Sequence, residues 1–182
     1  MSLYDKVVQF VDKSFKGRKA HFQRTVFWLE KFLPNVTDAH RIAAYAHDIE
    51  RAIKGEKDRD YLNTDILTRH QEEGAKIMQK FLTKQNADEK TIKTVENLIS
   101  KHEVGGDEDQ NALMDADSVS YFETNVEMFV RERAEKEGYE KIKAKLDWMF
   151  DRISLPERKE FARENYEKWS GELDKTKNET HS

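Results

Sequence analysis

Residues 41–53 read Arg41-Ile-Ala-Ala-Tyr-Ala-His-Asp-Ile-Glu-Arg-Ala-Ile53. Ile42, Ala43, Ala46 and Ile49 recur at the spacing that turns one side of an α-helix inward. Thr37 or Asp38 can cap that helix, and the pattern carries it to about Ile53. Beside this small-residue face stand His47 and Asp48. A buried imidazole or carboxylate is costly unless it is paired or bound to a metal. Neighbouring side chains on a helix point about 100° apart. Both can serve one site only if it lies at the rim of the core, where a substrate can reach it.

The same period extends outward on both sides. Helices are expected over 3–15 and 19–33, the second stopped by Pro34. The polar run 54–64 reads as a loop. Thr64 or Asp65 can cap the next helix, which runs through Phe81 and Leu82, and Ala87-Asp88 opens another ending near Ile99. After a Gly-Gly loop rich in acids, 111–135 reads as one long helix, broken by Gly138. Two more follow at 139–153 and 156–170, with Pro156 suited to a first turn. The last residues, GELDKTKNETHS, read as a frayed tail. No linker divides the chain, so the expectation is one all-α domain over 1–175, with a tail at 176–182.

Composition agrees. Seven Gly and two Pro are too few for the tight turns of a sheet protein of 182 residues. Charged residues make up 37%, yet ten Phe, six Tyr and three Trp supply a core, which suits small helices with wide solvated faces. No Cys is present, which excludes disulfides, thiolate metal sites and Cys nucleophiles and points to a cytoplasmic setting. The first residues carry Asp and Lys within the apolar pattern, unlike a signal peptide. No apolar run has the length of a membrane span. A net charge of −4 argues against long nucleic acid as a partner, while a locally basic pocket can still hold phosphate.

Six His are present, and four occupy distinctive contexts. His21 and Arg24 interrupt an apolar helix in KAHFQRTVFWLEKF. His47 stands beside Asp48. His70 lies in TRHQEEGAKIMQKF, and His102 ends an apolar helix in VENLISKHEVGG. Asp115 and Asp117 break the apolar segment NALMDADSVSYF. His40 and His181 have polar neighbours and read as structural. A single His on an apolar helix is more often a satisfied core residue than a ligand, and an acidic pair is more often a cap or a solvated face. Together, imidazole and carboxylate suit zinc, iron, manganese or nickel, and ligands on several helices can converge inside a bundle.

The ordered series H…HD…D, with the last Asp in an apolar D-A-D segment, resembles the HD superfamily of metal-dependent phosphohydrolases over roughly residues 18–125. The resemblance implies an HD-type helical bundle. It implies a divalent cation (Fe, Mn, Zn, Ni or Co) held by His21, His47, Asp48 and Asp117, with Asp115 orienting a ligand from behind. His70-Gln-Glu-Glu-Gly-Ala resembles the H-x-x-x-G-A element of binuclear relatives, and Ile99-Ser-Lys-His102 the next element. His70 and His102 are therefore expected either to enlarge the site to two ions or to contact substrate phosphate. The H-HD-H-H-D order is similar to that of bacterial hydrolases that split diadenosine tetraphosphate symmetrically and of small nucleotide pyrophosphatases. The acidic loop from Glu103 to Asp109 and the Glu50-Arg51 that follow the HD pair depart from both.

The expected activity is hydrolysis of a phosphate ester or anhydride of a nucleotide or similar small molecule by metal-activated water, with Asp48 catalytic. Arg24, one turn after His21, and Arg51 and Lys54, one and two turns past the pair, are the expected phosphate contacts, with solvated surface charge as the alternative. Lys101 reads more readily as surface. Two other functions compete: a non-catalytic metal- or nucleotide-binding regulator, and a helical interaction module using the charged helices at 131–170. Cyclic-dinucleotide cleavage is disfavoured because no G-Y-P element follows.

Overall fold

A computed structural model describes residues 1–15, 18–54 and 62–179, with the side chains of Lys54, Asn178 and Glu179 outside that description. Its fold is all-α, and among the described residues there is no strand. The helices are α1 (Leu3–Ser14), α2 (Lys19–Phe32), α3 (Asp38–Ala46), α4 (Ile49–Lys54), α5 (Thr64–Lys84), α6 (Glu89–Ile99) and α7 (Glu108–Thr124). There follow α8 (Val126–Met128), a π-helical turn (Phe129–Arg133), α9 (Ala134–Glu137), α10 (Tyr139–Asp151) and α11 (Pro156–Glu179).

Local chemistry starts these helices where backbone N–H groups would otherwise lack acceptors. Ser2 Oγ accepts from the Asp5 N–H, while the Asp5 carboxylate accepts from the Ser2 N–H. Asn63, one residue earlier than expected, caps α5. Asp88 caps α6, and Asp107 caps α7 with Gln110 closing the box, so α7 begins three residues before the expected start at 111.

Three expected helices also differ in extent or continuity. The helix expected from Asp38 to Ile53 is two helices, jointed at His47 and Asp48. The His47 Nδ1–H donates to the Ala44 carbonyl at 2.8 Å. That is the acceptor a continuing helix would offer to the Asp48 N–H. The helix expected over 111–135 is interrupted at Asn125 and again by the π-helical turn. The expected end near 170 is passed: α11 continues to Glu179 because Leu173, at 0% exposure, seats on the core.

Helix α7 organises the core. Every residue from Ala112 to Phe122 is buried, so it presents no solvated face. It packs chiefly against α2 and also against α11. On the other side α3 lies against α6, and α5 against α6 and α4. Gly74 of α5 lets that helix approach the α3–α4 joint: a Cβ there would stand 3.3 Å from Ile99 Cγ2 and 3.5 Å from the His47 carbonyl oxygen. No helix of the described residues is long and apolar enough to cross a membrane.

Candidate metal centre

His21 projects from α2, His47 and Asp48 from the α3–α4 joint, His70 from α5, His102 from the turn after α6, and Asp117 from α7. All six side chains are buried and converge. His21 Nε2 lies 3.1 Å and His47 Nε2 3.3 Å from the same oxygen, Asp117 Oδ1. His70 Nε2 lies 3.2 Å from Asp48 Oδ1. The His47 and His102 rings are 5.2 Å apart, as are those of His70 and His102.

The imidazoles are aimed from behind. His47 and His102 use one device: each Nδ1–H donates to the carbonyl three residues earlier, Ala44 at 2.8 Å and Ile99 at 2.7 Å. The His70 Nδ1–H donates to Glu50 Oε2 at 2.8 Å, and His21 Nδ1 meets Ser120 Oγ at 3.0 Å. Such bonds fix the ring orientation and leave Nε2 directed inward, as in metal-ligating His. Among the described residues, His102 Nε2 is buried with no hydrogen-bond partner, and His47 Nε2, 3.3 Å from Asp117 Oδ1, makes no hydrogen bond of good geometry. A buried polar atom left in that condition is costly, and a cation would satisfy it.

Two groups of donors come within 4.8 Å of one another: His21, His47 and Asp48, and Asp48, His70, His102 and Glu103. Asp48 belongs to both. The residues present therefore fit a divalent ion, and their mixed nitrogen and oxygen character suits a transition metal.

Fixed positive charge surrounds the carboxylates. Arg51 is ion-paired with Asp48, its Nε 3.0 Å from Oδ1, and donates to Glu103 Oε1 at 2.9 Å. Arg152 joins Glu103 Oε2 to Asp117 Oδ2 through its two Nη groups. Burial alone would raise the Asp48 carboxyl, but Arg51 and the His70 bond hold it well below the usual carboxylate range. Burial likewise opposes ionisation of Asp117, which His47 and Arg152 hold well below its ordinary value. At His47, burial pushes the imidazole down, yet the Asp117 carboxylate carries it up to about 9. The field at that atom favours positive charge, which is what an arriving cation brings. Burial takes His102 down to about 4, so its ring is neutral. Burial also lowers Lys145 to about 7. Lys145, Arg18, Asn125 and Phe129 line the open cleft beside Asp48 and Asp117.

Other expected residues lie elsewhere. Arg24 forms a two-pronged pair with Glu123 at 2.6 and 2.8 Å and rests 4.0 Å over the Phe27 ring, so it is committed to the α2–α7 surface. Asp115 orients no ligand: it accepts from Ser154 N at 2.7 Å, Ser154 Oγ at 2.6 Å and Arg158 at 2.9 Å, tying the α10–α11 corner to α7. Arg51 is at the centre, on the carboxylates. The expectation for the Lys54 side chain lies outside the described residues, as does that for His181. Lys101 is exposed, as expected of a surface charge. His40 is structural, bonded to Thr37 and to Asp109 at 3.1 Å. Sequence reasoning missed Glu103, Arg152, Arg18 and Lys145. Only Glu103 carried a signal, its position directly after His102.

No curated protein and no solved structure matches the chain. A family model does match, over residues 7–167, and it is described as a domain of unknown function, DUF4202.

Proposed function

The chain belongs to the DUF4202 family, and we propose that this member is a metal-dependent phosphohydrolase of the HD type. Its substrate would be a phosphate ester or anhydride of a nucleotide or a similar small molecule. One observation carries the reading: four imidazoles and three carboxylates meet in one buried cluster, where His102 Nε2 is left without a hydrogen bond and His47 Nε2 faces the oxygen of Asp117 that His21 also faces. Ion pairing alone would not leave His102 Nε2 buried without a hydrogen bond.

His21, His47, Asp48 and Asp117 would hold the first ion, with His70, His102 and Glu103 available to a second. A divalent ion of the Fe, Mn, Zn, Ni or Co type supplies, when bound, Lewis acidity and a water acidic enough to ionise near neutral pH. The chain supplies the rest. Asp48 and Asp117 present oxygens that can orient an attacking water beside the cleft. Arg18, lining that cleft near Asp48, offers a guanidinium for phosphoryl oxygens, and guanidinium geometry matches phosphate. Lys145 Nζ, brought to about 7, can hold a proton at neutral pH and release it to a leaving oxygen. The buried walls, including Tyr121 and Met149, limit competing water.

Asp48→Ala is the decisive variant. It should abolish phosphate release from a mixed nucleotide panel and reduce bound metal, while the far-ultraviolet helical spectrum persists. Undiminished turnover in that variant would refute the assignment. Metal binding without turnover of any panel member by the wild-type chain would instead favour a non-catalytic metal- or nucleotide-binding regulator.

A further inference from the structure

We propose that the centre has two unequal cation positions and that the guanidinium of Arg51 competes with an ion for the second. This rests on the metal-centre reading above and concerns how that centre fills.

The second position is bounded by Asp48, His70, His102 and Glu103. Arg51 already engages three of those four, donating to His70 and Glu103 and ion-paired with Asp48. Its Nε lies 3.0 Å from Asp48 Oδ1 and 3.2 Å from His70 Nε2, and its Nη2 lies 2.9 Å from Glu103 Oε1. An ion ligated there needs the same lone pairs at about 2.0–2.2 Å. Guanidinium and ion carry like charge and want the same atoms, so they exclude one another. Arg51 cannot withdraw by losing a proton; it has to move away.

His102 shows that the position is more than an ion-pair knot. Its Nε2 is the one donor of the four that Arg51 does not reach, and it is buried at 0% exposure without a hydrogen-bond partner. Its Nδ1 is already spent on the Ile99 carbonyl. The first position differs. Arg152 takes Asp117 Oδ2 and leaves Oδ1 facing His21 and His47. An ion can settle there while Arg51 stays on Asp48 Oδ1 and Glu103. Arg51 has room to leave: it stands on the short α4, its side chain is 20% exposed, and it lines the cleft. The Glu50-Arg51 pair after the HD dipeptide thereby acquires a role, with Glu50 orienting His70 and Arg51 contesting the ion's place.

The test is a titration of the chelator-stripped full-length chain with Mn2+ by calorimetry, with elemental analysis of bound metal. Wild type should show one tight step, with the second weak or absent. Arg51→Gln should tighten the second step about 10- to 100-fold, the scale on which outer contacts alter metal affinity, and reach two ions per chain. His102→Gln should remove the second step and leave the tight one. Two equally tight steps in wild type, an unmoved second step in Arg51→Gln, or loss of the tight step in His102→Gln would each overturn the proposal. If Arg51→Gln fails to fold, Arg51→Met is titrated in its place, and a second step no tighter than in wild type would equally overturn the proposal. A wild-type chain that binds no Mn2+ at all would sink the metal-centre reading itself.

Discussion

Along a helix, positions i and i+2 lie about 200° apart, and in α7 that rotation separates Asp115 from Asp117. Asp117 turns toward the imidazoles, while Asp115 turns to Ser154 and Arg158. Asp115→Ala leaves the Arg158 guanidinium, 9% exposed, without its carboxylate. Removing one partner of a buried pair costs about 3–5 kcal/mol. The variant should therefore show a lower urea midpoint while the folded fraction keeps its Mn2+ isotherm. Asp117→Ala should do the opposite, losing the tight step with a smaller change in midpoint. Identical behaviour of the two variants would remove the distinction. The residues that converge were legible because their order along the chain is distinctive, even though each is ordinary alone. Arg24 misled because helical spacing gives the face a residue shares and says nothing of what the next helix offers, here Glu123. Arg152 and Lys145 were invisible for a related reason. A cation on an amphipathic helix reads as solvated, and only the packing of α10 brings these two inward.

At the scale of elements, the joint between α3 and α4 depends on the glycine opposite it. Alanine at Gly74 would make only close contacts, but a longer side chain would press on Ile99 and the His47 carbonyl. Gly74→Leu should cost about 1–3 kcal/mol and weaken Mn2+ binding by displacing the joint that carries His47 and Asp48. Thermal unfolding and the isotherm check both, and a variant unchanged in both would count against this account of the joint. Helix periods were readable throughout, because apolar spacing reports burial directly. The breaks were less so. The joint arises from one imidazole taking one backbone carbonyl, which leaves no mark on composition. The extended α11 hangs on Leu173, a single apolar residue in a stretch that otherwise looks solvated.

For the molecule as a whole, any ion that binds the folded chain and not the unfolded one adds stability. At about a hundredfold excess over Kd the gain is about 2.7 kcal/mol, a rise in Tm of about 5–10 °C for a domain of this size. The proton on His47 competes for Nε2, and with that imidazole carried up to about 9 the competitor is present throughout the neutral range. Mn2+ uptake should therefore release protons and weaken as pH falls, giving a larger Tm rise at about pH 8.5 than at about pH 6.5. A rise that is larger at the lower pH would contradict the role given to His47.

Arg51 and Arg152 bind the three carboxylates with positive charge that belongs to the polypeptide itself. A nascent chain can thus close its interior as it leaves the ribosome, whatever the supply of metal. On the proposed reading, loading would be a late, reversible event in the life of a finished molecule, open to whichever ion its surroundings provide.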